Sequence, residues 1–145
     1  MIEMVFRKYR SRNLWSLTND PSVWDWKRKD RLNQFSNGNP ARSKITEVKL
    51  INEDDQAFLM TGSSDGVIKL YRGYESRANV ELVTAFRALT DLEPSTKSAG
   101  LVFDWQQSRG QILVAGDVRS IHVWNAGTEI CTSVRYHQTH LLLLY

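Results

Sequence analysis

The feature that most constrains the fold is a hairpin pattern at residues 61–71, which read Thr-Gly-Ser-Ser-Asp-Gly-Val-Ile-Lys-Leu-Tyr. A short apolar run at residues 57–60 precedes it. Asp65-Gly66 supplies the turn, because glycine tolerates a positive φ and aspartate can bond its own backbone. Residues 67–71 are apolar, β-branched and aromatic, which is typical of a strand. The segment therefore predicts two antiparallel strands joined by a tight turn.

The same pattern occurs at intervals close to fifty residues. Residues 112–124 repeat the strand, turn and strand, and residues 20–25 end an earlier copy. The aromatic residues that close the copies are Trp24, Tyr71 and Trp124, which lie 47 and 53 residues apart. A period of this length, with a strand–turn–strand unit that ends in an aromatic residue, is the signature of propeller blades.

Each full period contains four strand candidates. They lie at residues 45–51, 57–61, 67–71 and 80–86, and again at 101–105, 112–115, 121–124 and 130–134. Helical periodicity is absent, so the predicted fold class is all-β. Closed propellers have roughly four to eight blades. The chain is therefore predicted to be a propeller fragment with about two four-stranded blades and part of a third.

The predicted organisation has three parts. Residues 1–20 form an unassigned amino-terminal extension, residues 21–134 form the blades, and residues 135–145 form an atypical tail. A blade buries its apolar faces only by stacking on its neighbours. We therefore expect the chain to be a fragment of a longer protein and not to fold stably alone.

A set of aromatic and turn residues is expected to have structural roles in the blades. The aromatic residues would pack in the core, although stacking on bases or sugars is the alternative, and the aspartates would bond the local backbone of turns. These positions are Trp24, Asp25, Asp65, Gly66, Tyr71, Trp105, Asp117 and Trp124.

The charge is unevenly distributed. Residues 1–44 carry ten Lys or Arg against four acids, and residues 45–145 carry nine against twelve. A nucleic-acid or anionic-membrane surface is one interpretation of the basic part. A solvated turn plus a loose amino terminus is the interpretation that we favour, because no nucleic-acid motif accompanies the charge. No nucleic-acid partner is predicted.

The chemically suggestive residues do not form a known site. His137 and His140 with Cys131 lack further ligands at zinc spacing. Residues 62–66 lack the Gly-Lys-Ser/Thr of a phosphate loop and do not fit a nucleophile elbow. The sequence therefore predicts no catalytic residue, no metal site and no cofactor, and a protein that is not an enzyme.

Two further features bear on the compartment. A single cysteine is consistent with a reducing compartment. No apolar run approaches the ~18 residues of a membrane-spanning helix. We expect a cytoplasmic protein without a membrane span.

Two motif ends resemble those of WD-repeat proteins, Val-Trp-Asp at residues 23–25 and Ile-His-Val-Trp-Asn at residues 121–125. The Gly-His dipeptide of that family is missing. Tyr71 stands in place of tryptophan, and Asn125 in place of aspartate. The buried hydrogen-bond tetrad of an ideal WD blade is therefore not expected here.

A more specific resemblance is to the carboxyl-terminal propeller of the Raptor family, the regulatory-associated proteins of TOR, especially the fungal form. The Asn-Gly-Asn-Pro loop and the Asp-Trp-Gln-Gln strand end are not general WD features. The resemblance covers roughly residues 23–132. It is carried by the segments at residues 23–26, 35–40, 65–66, 83–86, 102–107 and 116–119.

This resemblance implies a non-catalytic scaffold of TOR complex 1 that supports substrate recruitment to the kinase in nutrient-responsive growth signalling. The implied partners are the TOR kinase complex and its substrates, with peripheral association at vacuolar or lysosomal membranes through the complex. No partner-binding residue can be carried over, since the family reads substrates with its amino-terminal part. The alternative is a generic WD adaptor in another assembly, such as an RNA-associated one.

Overall fold

The computed structural model describes residues 3–6, 12–16, 20–25, 27–52, 55–90, 92 and 100–135, with side chains described between residues 20 and 132 of these ranges. A 3₁₀ turn lies at Gln107–Arg109. The strands are β1 (Glu3–Phe6), β2 (Arg12–Ser16), β3 (Ser22–Asp25), β4 (Asp30–Gln34), β5 (Ile45–Ile51), β6 (Phe58–Ser63), β7 (Val67–Arg72), β8 (Glu81–Arg87), β9 (Leu101–Gln106), β10 (Gln111–Gly116), β11 (Ser120–Asn125) and β12 (Ile130–Arg135).

The described strands form three four-stranded sheets. The first sheet contains β1 to β4, the second β5 to β8 and the third β9 to β12. Within each sheet, every strand pairs antiparallel with the next one in the chain, so each sheet is a meander. The all-β prediction and the two complete meanders after residue 45 are confirmed.

The first sheet is larger than the sequence indicated. Residues 1–20 could not be placed because they show no clear period, yet β1 and β2 lie there and pair with β3, with Leu14 opposite Val23. The first sheet, which the sequence predicted as part of a third blade, therefore also has four strands. Its order comes from pairing between segments, which local periodicity does not report. The predicted boundaries after residues 20 and 134 stay predictions.

The hairpin at residues 61–71 has the predicted turn. The Gly66 N–H donates to Ser63 O at 3.0 Å, and Gly66 has a φ of 82°. The Gly66 carbonyl accepts from the N–H groups of Ala88 and Leu89. A Cβ at position 66 would overlap the Leu89 carbonyl oxygen. Glycine is thus required here by backbone conformation and by close packing together.

The core lies between the sheets in two clusters. Between the first and second sheets, Val23 packs with residues that include Leu59 and Tyr71. Between the second and third sheets, Met60 and its neighbours pack against β9 and β10. Leu59 and Met60 are adjacent in β6 and both are fully buried. β6 is apolar on both faces because successive side chains point to opposite faces and the second sheet has a neighbouring sheet on each side.

Gly62 gives a test of how closely the second and third sheets approach. A Cβ at this position would lie 2.5 Å from Leu101 Cδ2 and 3.0 Å from carbons of the Phe103 ring. Gly62→Ala should therefore lower the free energy of unfolding by about 1–3 kcal/mol, measured by urea denaturation of the complete protein. Gly127→Ala is the matched control, because the nearest atom to its Cβ is Asn125 Oδ1 at 3.5 Å. Equal stability of the two variants would contradict the close approach.

Candidate functional site

The three aromatic positions that set the sequence period lie in equivalent strands. Trp24, Tyr71 and Trp124 belong to β3, β7 and β11, which are the third strands of their sheets. Tyr71 is buried, and the two tryptophans are half-buried. The Trp124 ring contacts Phe86 of the second sheet, with ring centroids 4.8 Å apart. The aromatic residues that repeat in the sequence thus occupy equivalent strands of the three sheets.

The residue after each of these tryptophans organises the following turn. Asp25 Oδ1 accepts hydrogen bonds from the N–H groups of Lys27 at 3.0 Å and Arg28 at 3.2 Å. Asn125 Oδ1 accepts from Gly127 and Thr128 at 2.9 Å each. An amide oxygen does what the carboxylate does, which is why asparagine can replace aspartate at this position.

The turn aspartates and the remaining tryptophan have different surroundings. Asp65 is buried, and its Oδ1 has no hydrogen-bond partner among the described residues. Its backbone oxygen accepts from Arg87 Nη1 at 3.3 Å. The expected carboxylate bond to local backbone is not made by this oxygen, because the Ser63 carbonyl already holds the Gly66 N–H that closes the turn. Asp117 is exposed in the β10–β11 turn, and Trp105 is half-buried in β9.

A buried network centred on Asn37 joins the loop after β4 to the second sheet. Asn37 Oδ1 accepts from the Tyr71 hydroxyl at 2.8 Å and from Thr61 Oγ1 at 3.1 Å. Only 2% of Asn37 is exposed. The Phe35 ring packs edge-on against Tyr71, with centroids 5.0 Å apart. One carboxamide therefore satisfies two hydroxyls in the core between two sheets.

A lysine extends this network toward the loop surface. Lys69 Nζ donates to Asn37 O and, at 3.2 Å, to Asn39 Oδ1. Asn39 Nδ2 donates to Ser63 Oγ at 3.0 Å. Burial lowers the pKa of Lys69, and the charge of Asp65 opposes this effect. The Asn-Gly-Asn-Pro loop is thus held to β6 and β7 by side-chain amides.

A second polar cluster lies between β5 and β9. Glu47 is 8% exposed, and its Oε2 accepts from the Phe103 N–H at 2.9 Å. Lys49 Nζ lies 3.2 Å from Glu47 Oε1 and 2.9 Å from Asp104 Oδ1. Burial acts to lower the pKa of Lys49, but the hydrogen bond and charge of Asp104 together with Glu47 outweigh it and raise this pKa. The hydrogen bond from Lys49 lowers the pKa of Asp104.

Sequence reasoning missed the roles of Asn37 and Glu47. Asn37 lies in a segment that was read only as a loop and as part of the family resemblance. Glu47 lies in the strand predicted at residues 45–51, and its burial was not predicted. The available signal for the role of Glu47 was its acidic side chain, because it lies in a strand of a repeat whose sheets pack on both faces, where a buried charge needs a partner.

Cys131 and His122 form a contact on the third sheet. Cys131 Sγ lies 3.6 Å from His122 Nδ1, and Ser120 Oγ lies 3.0 Å from His122 Nε2. Burial raises the pKa of the Cys131 thiol. The thiolate is the nucleophilic form, so this arrangement leaves the thiol protonated rather than activated.

Some predicted positions lie outside the described residues. They are Trp26, His137, His140 and the basic residues Arg7, Lys8 and Arg10. In the described part of the chain, no three His, Cys, Asp or Glu residues are grouped so that they could hold a metal ion. Nor does any described helix have the length and apolar character needed to cross a membrane.

The sequence has relatives among the subunits of target of rapamycin complex 1, although no family model matches it. It is 53% identical over 109 residues to the complex 1 subunit mip1 of Schizosaccharomyces pombe, and 51% identical over 108 residues to the subunit KOG1 of Saccharomyces cerevisiae. These matches cover 75% and 74% of this chain, but only 8% and 7% of the relatives.

The fold matches a solved structure from the same group. The crystal structure of Chaetomium thermophilum Raptor superposes with a TM-score of 0.83 and 49% sequence identity, over 93% of this chain and 12% of that one. The chain is a homologue of the Raptor proteins. The loop at residues 35–40 joins the first sheet to the second. The end of β9 carries Asp104, which bridges to Lys49.

The Asn37 network predicts strong coupling between Asn37 and Tyr71. Asn37→Ala should lower the free energy of unfolding by about 2–4 kcal/mol, because the buried hydroxyls of Tyr71 and Thr61 lose their shared acceptor. Adding Tyr71→Phe should cost less in this background than in the unsubstituted protein. Urea denaturation of the two single variants and the double variant measures this coupling. Additive losses would contradict the network.

Tyr71 also predicts a difference in stability at high pH. Burial raises the pKa of Tyr71 to about 12, above the value of about 10 for an exposed tyrosine. The neutral form is favoured in the folded state, so its contribution is complete below pH ~10 and falls as the pH rises from ~10 to ~12. The stability difference between the unsubstituted protein and Tyr71→Phe should shrink over this range. A difference that stays constant with pH would contradict the prediction.

Proposed function

We propose that this chain is part of the blade array of a Raptor-like subunit and acts as a non-catalytic scaffold of TOR complex 1. In this role it supports substrate recruitment to the TOR kinase in nutrient-responsive growth signalling. The observation that carries the proposal is the agreement between sequence and fold. A subunit of that complex is 53% identical, and a Raptor crystal structure superposes with a TM-score of 0.83.

The placement of polar side chains supports a scaffold rather than a reactive site. Asn37 and Glu47 are buried between sheets, where their oxygens accept hydrogen bonds from a neighbouring sheet. Such groups position sheets relative to one another. The one thiol near a histidine, Cys131, is kept protonated by burial. The described polar groups thus favour a protein that acts through its surfaces.

The proposed partners are the TOR kinase complex and its substrates. The proposed location is the cytoplasm, with peripheral association at vacuolar or lysosomal membranes through the complex. The protein would reach those membranes through its partners.

The alternative of an RNA-associated WD adaptor depended on the basic amino-terminal part of the chain. In the turn after β3, the Asp25 carboxylate accepts from the backbone of Lys27 and Arg28. Arg28 also pairs with Asp30 at 3.4 Å. The two acids offset part of the charge of this turn, which favours a solvated turn over an RNA-binding surface.

Precipitation of the protein from its native cells tests the proposed function. An epitope inserted in the turn between β5 and β6, at the native locus, should recover a product far above 16.7 kDa together with the TOR kinase. The same epitope placed inside β6 is the control, because it should disrupt the second sheet and lose the kinase. Immunoblotting measures both size and partner.

A short product without the kinase would contradict the proposal. Binding of single-stranded RNA that disappears when Arg7, Lys8, Arg10 and Arg12 are neutralised would instead favour the RNA-associated adaptor.

A further inference from the structure

The outer strand of the second sheet has an open edge. β8 is the last strand in the order of its sheet, and no described strand pairs with its other side. Its sequence, Glu-Leu-Val-Thr-Ala-Phe-Arg, contains no lysine, proline or glycine. Leu82 and Val83 are 48% and 46% exposed. Edge strands usually carry lysine, proline or a bulge that discourages pairing with another chain.

β8 has a bulge at Val83, but the part of the strand after it is regular. The register between β7 and β8 shifts at Leu70/Tyr71. From Thr84 to Arg87 the pairing runs without interruption, opposite Leu70 to Val67. This part of β8 reads Thr-Ala-Phe-Arg, and the charged residues of the strand, Glu81 and Arg87, are its first and last. The end of β8 is thus a regular, largely apolar edge to which an extended segment could add.

An open apolar notch adjoins the same part of β8. Thr84 and Phe86 form one wall with Leu70, and Ile112 and Trp124 of the third sheet form the other. Phe86 and Trp124 meet at a centroid distance of 4.8 Å. Because side chains alternate along a strand, a segment paired with β8 would direct every second side chain toward this notch.

Glu129 supplies a charge at the edge of the notch. It lies in the turn after β11, is exposed and lines the notch. No ion pair of its carboxylate occurs within the described part of the chain. A lysine or arginine beside an apolar side chain could face this carboxylate and the ring of Trp124 together.

We propose that the edge of β8 and the notch beside it dock an extended segment of a partner protein. The segment adds to the second sheet as a fifth strand. It places one large apolar side chain against Phe86 and Trp124 and a neighbouring lysine or arginine against Glu129. The proposal depends on this geometry and not on the proposed role in TOR complex 1, so either can fail without the other.

A second copy of this chain fits the surface less well. Two β8 strands paired edge to edge would offer Arg87 as the only cation of that strand. Arg87 already donates to the Asp65 carbonyl. Glu129 would stay without a cation, whereas a basic partner segment supplies one.

Synthetic peptides test the proposal on the complete protein. The probe is fluorescently labelled Thr-Lys-Thr-Leu-Thr-Lys-Thr, compared with one peptide in which glutamate replaces lysine and one in which serine replaces leucine. Fluorescence anisotropy at low salt should rank the lysine peptide above the glutamate peptide by roughly two- to fivefold, as for an exposed ion pair. Glu129→Lys should reverse this order. The serine peptide should bind more weakly than the leucine peptide.

A substitution that fills the notch distinguishes binding at this surface from nonspecific binding of the peptide elsewhere on the protein. Thr84→Trp should reduce binding of the leucine peptide to that of the serine peptide. Thr132→Trp is the matched control on another edge strand. Thr132 pairs with Val123, whereas its neighbour Cys131 pairs with Trp124, so Thr132 faces away from the second sheet. This control should bind like the unsubstituted protein, and equal losses in both variants would overturn the proposal.

Hydrogen exchange tests the strand addition itself. Bound peptide should slow the exchange of amides in residues 81–87. Binding without this protection would overturn the strand addition, and absence of binding by every peptide would overturn the docking site. Protection of β8 that rises with protein concentration and needs no peptide would show a second copy as the occupant and would also overturn the proposal.

Discussion

The arrangement of the first two sheets depends on one buried carboxamide. Asn37 comes from the loop after β4, yet its Oδ1 accepts from hydroxyls on β6 and β7. An isolated amide in an apolar core would cost free energy, as would each hydroxyl without an acceptor. Because all three groups are satisfied only when the loop lies against the second sheet, the interaction specifies how the two sheets meet.

The second and third sheets are joined by a different chemistry. Glu47 accepts from a backbone N–H of β9, and Lys49 lies between Glu47 and Asp104. Thr46 Oγ1 adds a hydrogen bond of 2.5 Å to the Leu101 carbonyl. These contacts place a carboxylate in a nearly dry position but give it both a donor and a cation. Hydrophobic stacking supplies most of the attraction, and the polar groups fix the register of the sheets.

The same arrangement leaves the outward edges of the sheets accessible, and the proposed docking site lies on one of them. The faces that stack on each other are used for cohesion, as the burial of Leu59, Met60 and Ile112 indicates. The outer strands of the sheets, the exposed turns and the seams between sheets remain for a partner. β8 adjoins such a seam, since no described strand pairs with its outer edge and Phe86 borders the seam with Trp124. Stacked sheets of this kind can thus make contacts along their outer edges without loosening the core.

The sequence by itself determined the local pattern. Apolar alternation and the Asp65-Gly66 turn predicted the hairpin, and the spacing of Trp24, Tyr71 and Trp124 predicted repeated sheets, because strand period and turn conformation depend on nearby residues. It also carried a family resemblance that the relatives support. For the eight blade positions, the sequence predicted the strands and turns in which they lie but not the partners of their side chains.

The tertiary structure decided whatever depends on residues far apart in the chain. β1 and β2 have no clear period of their own and become strands by pairing with β3. Asn37 contacts residues 24 and 34 positions away, and Glu47 contacts Phe103 across 56 positions. Whether such a polar residue is buried or solvated depends on which sheet packs against it. This burial is set by packing between distant segments, which the local sequence pattern does not report.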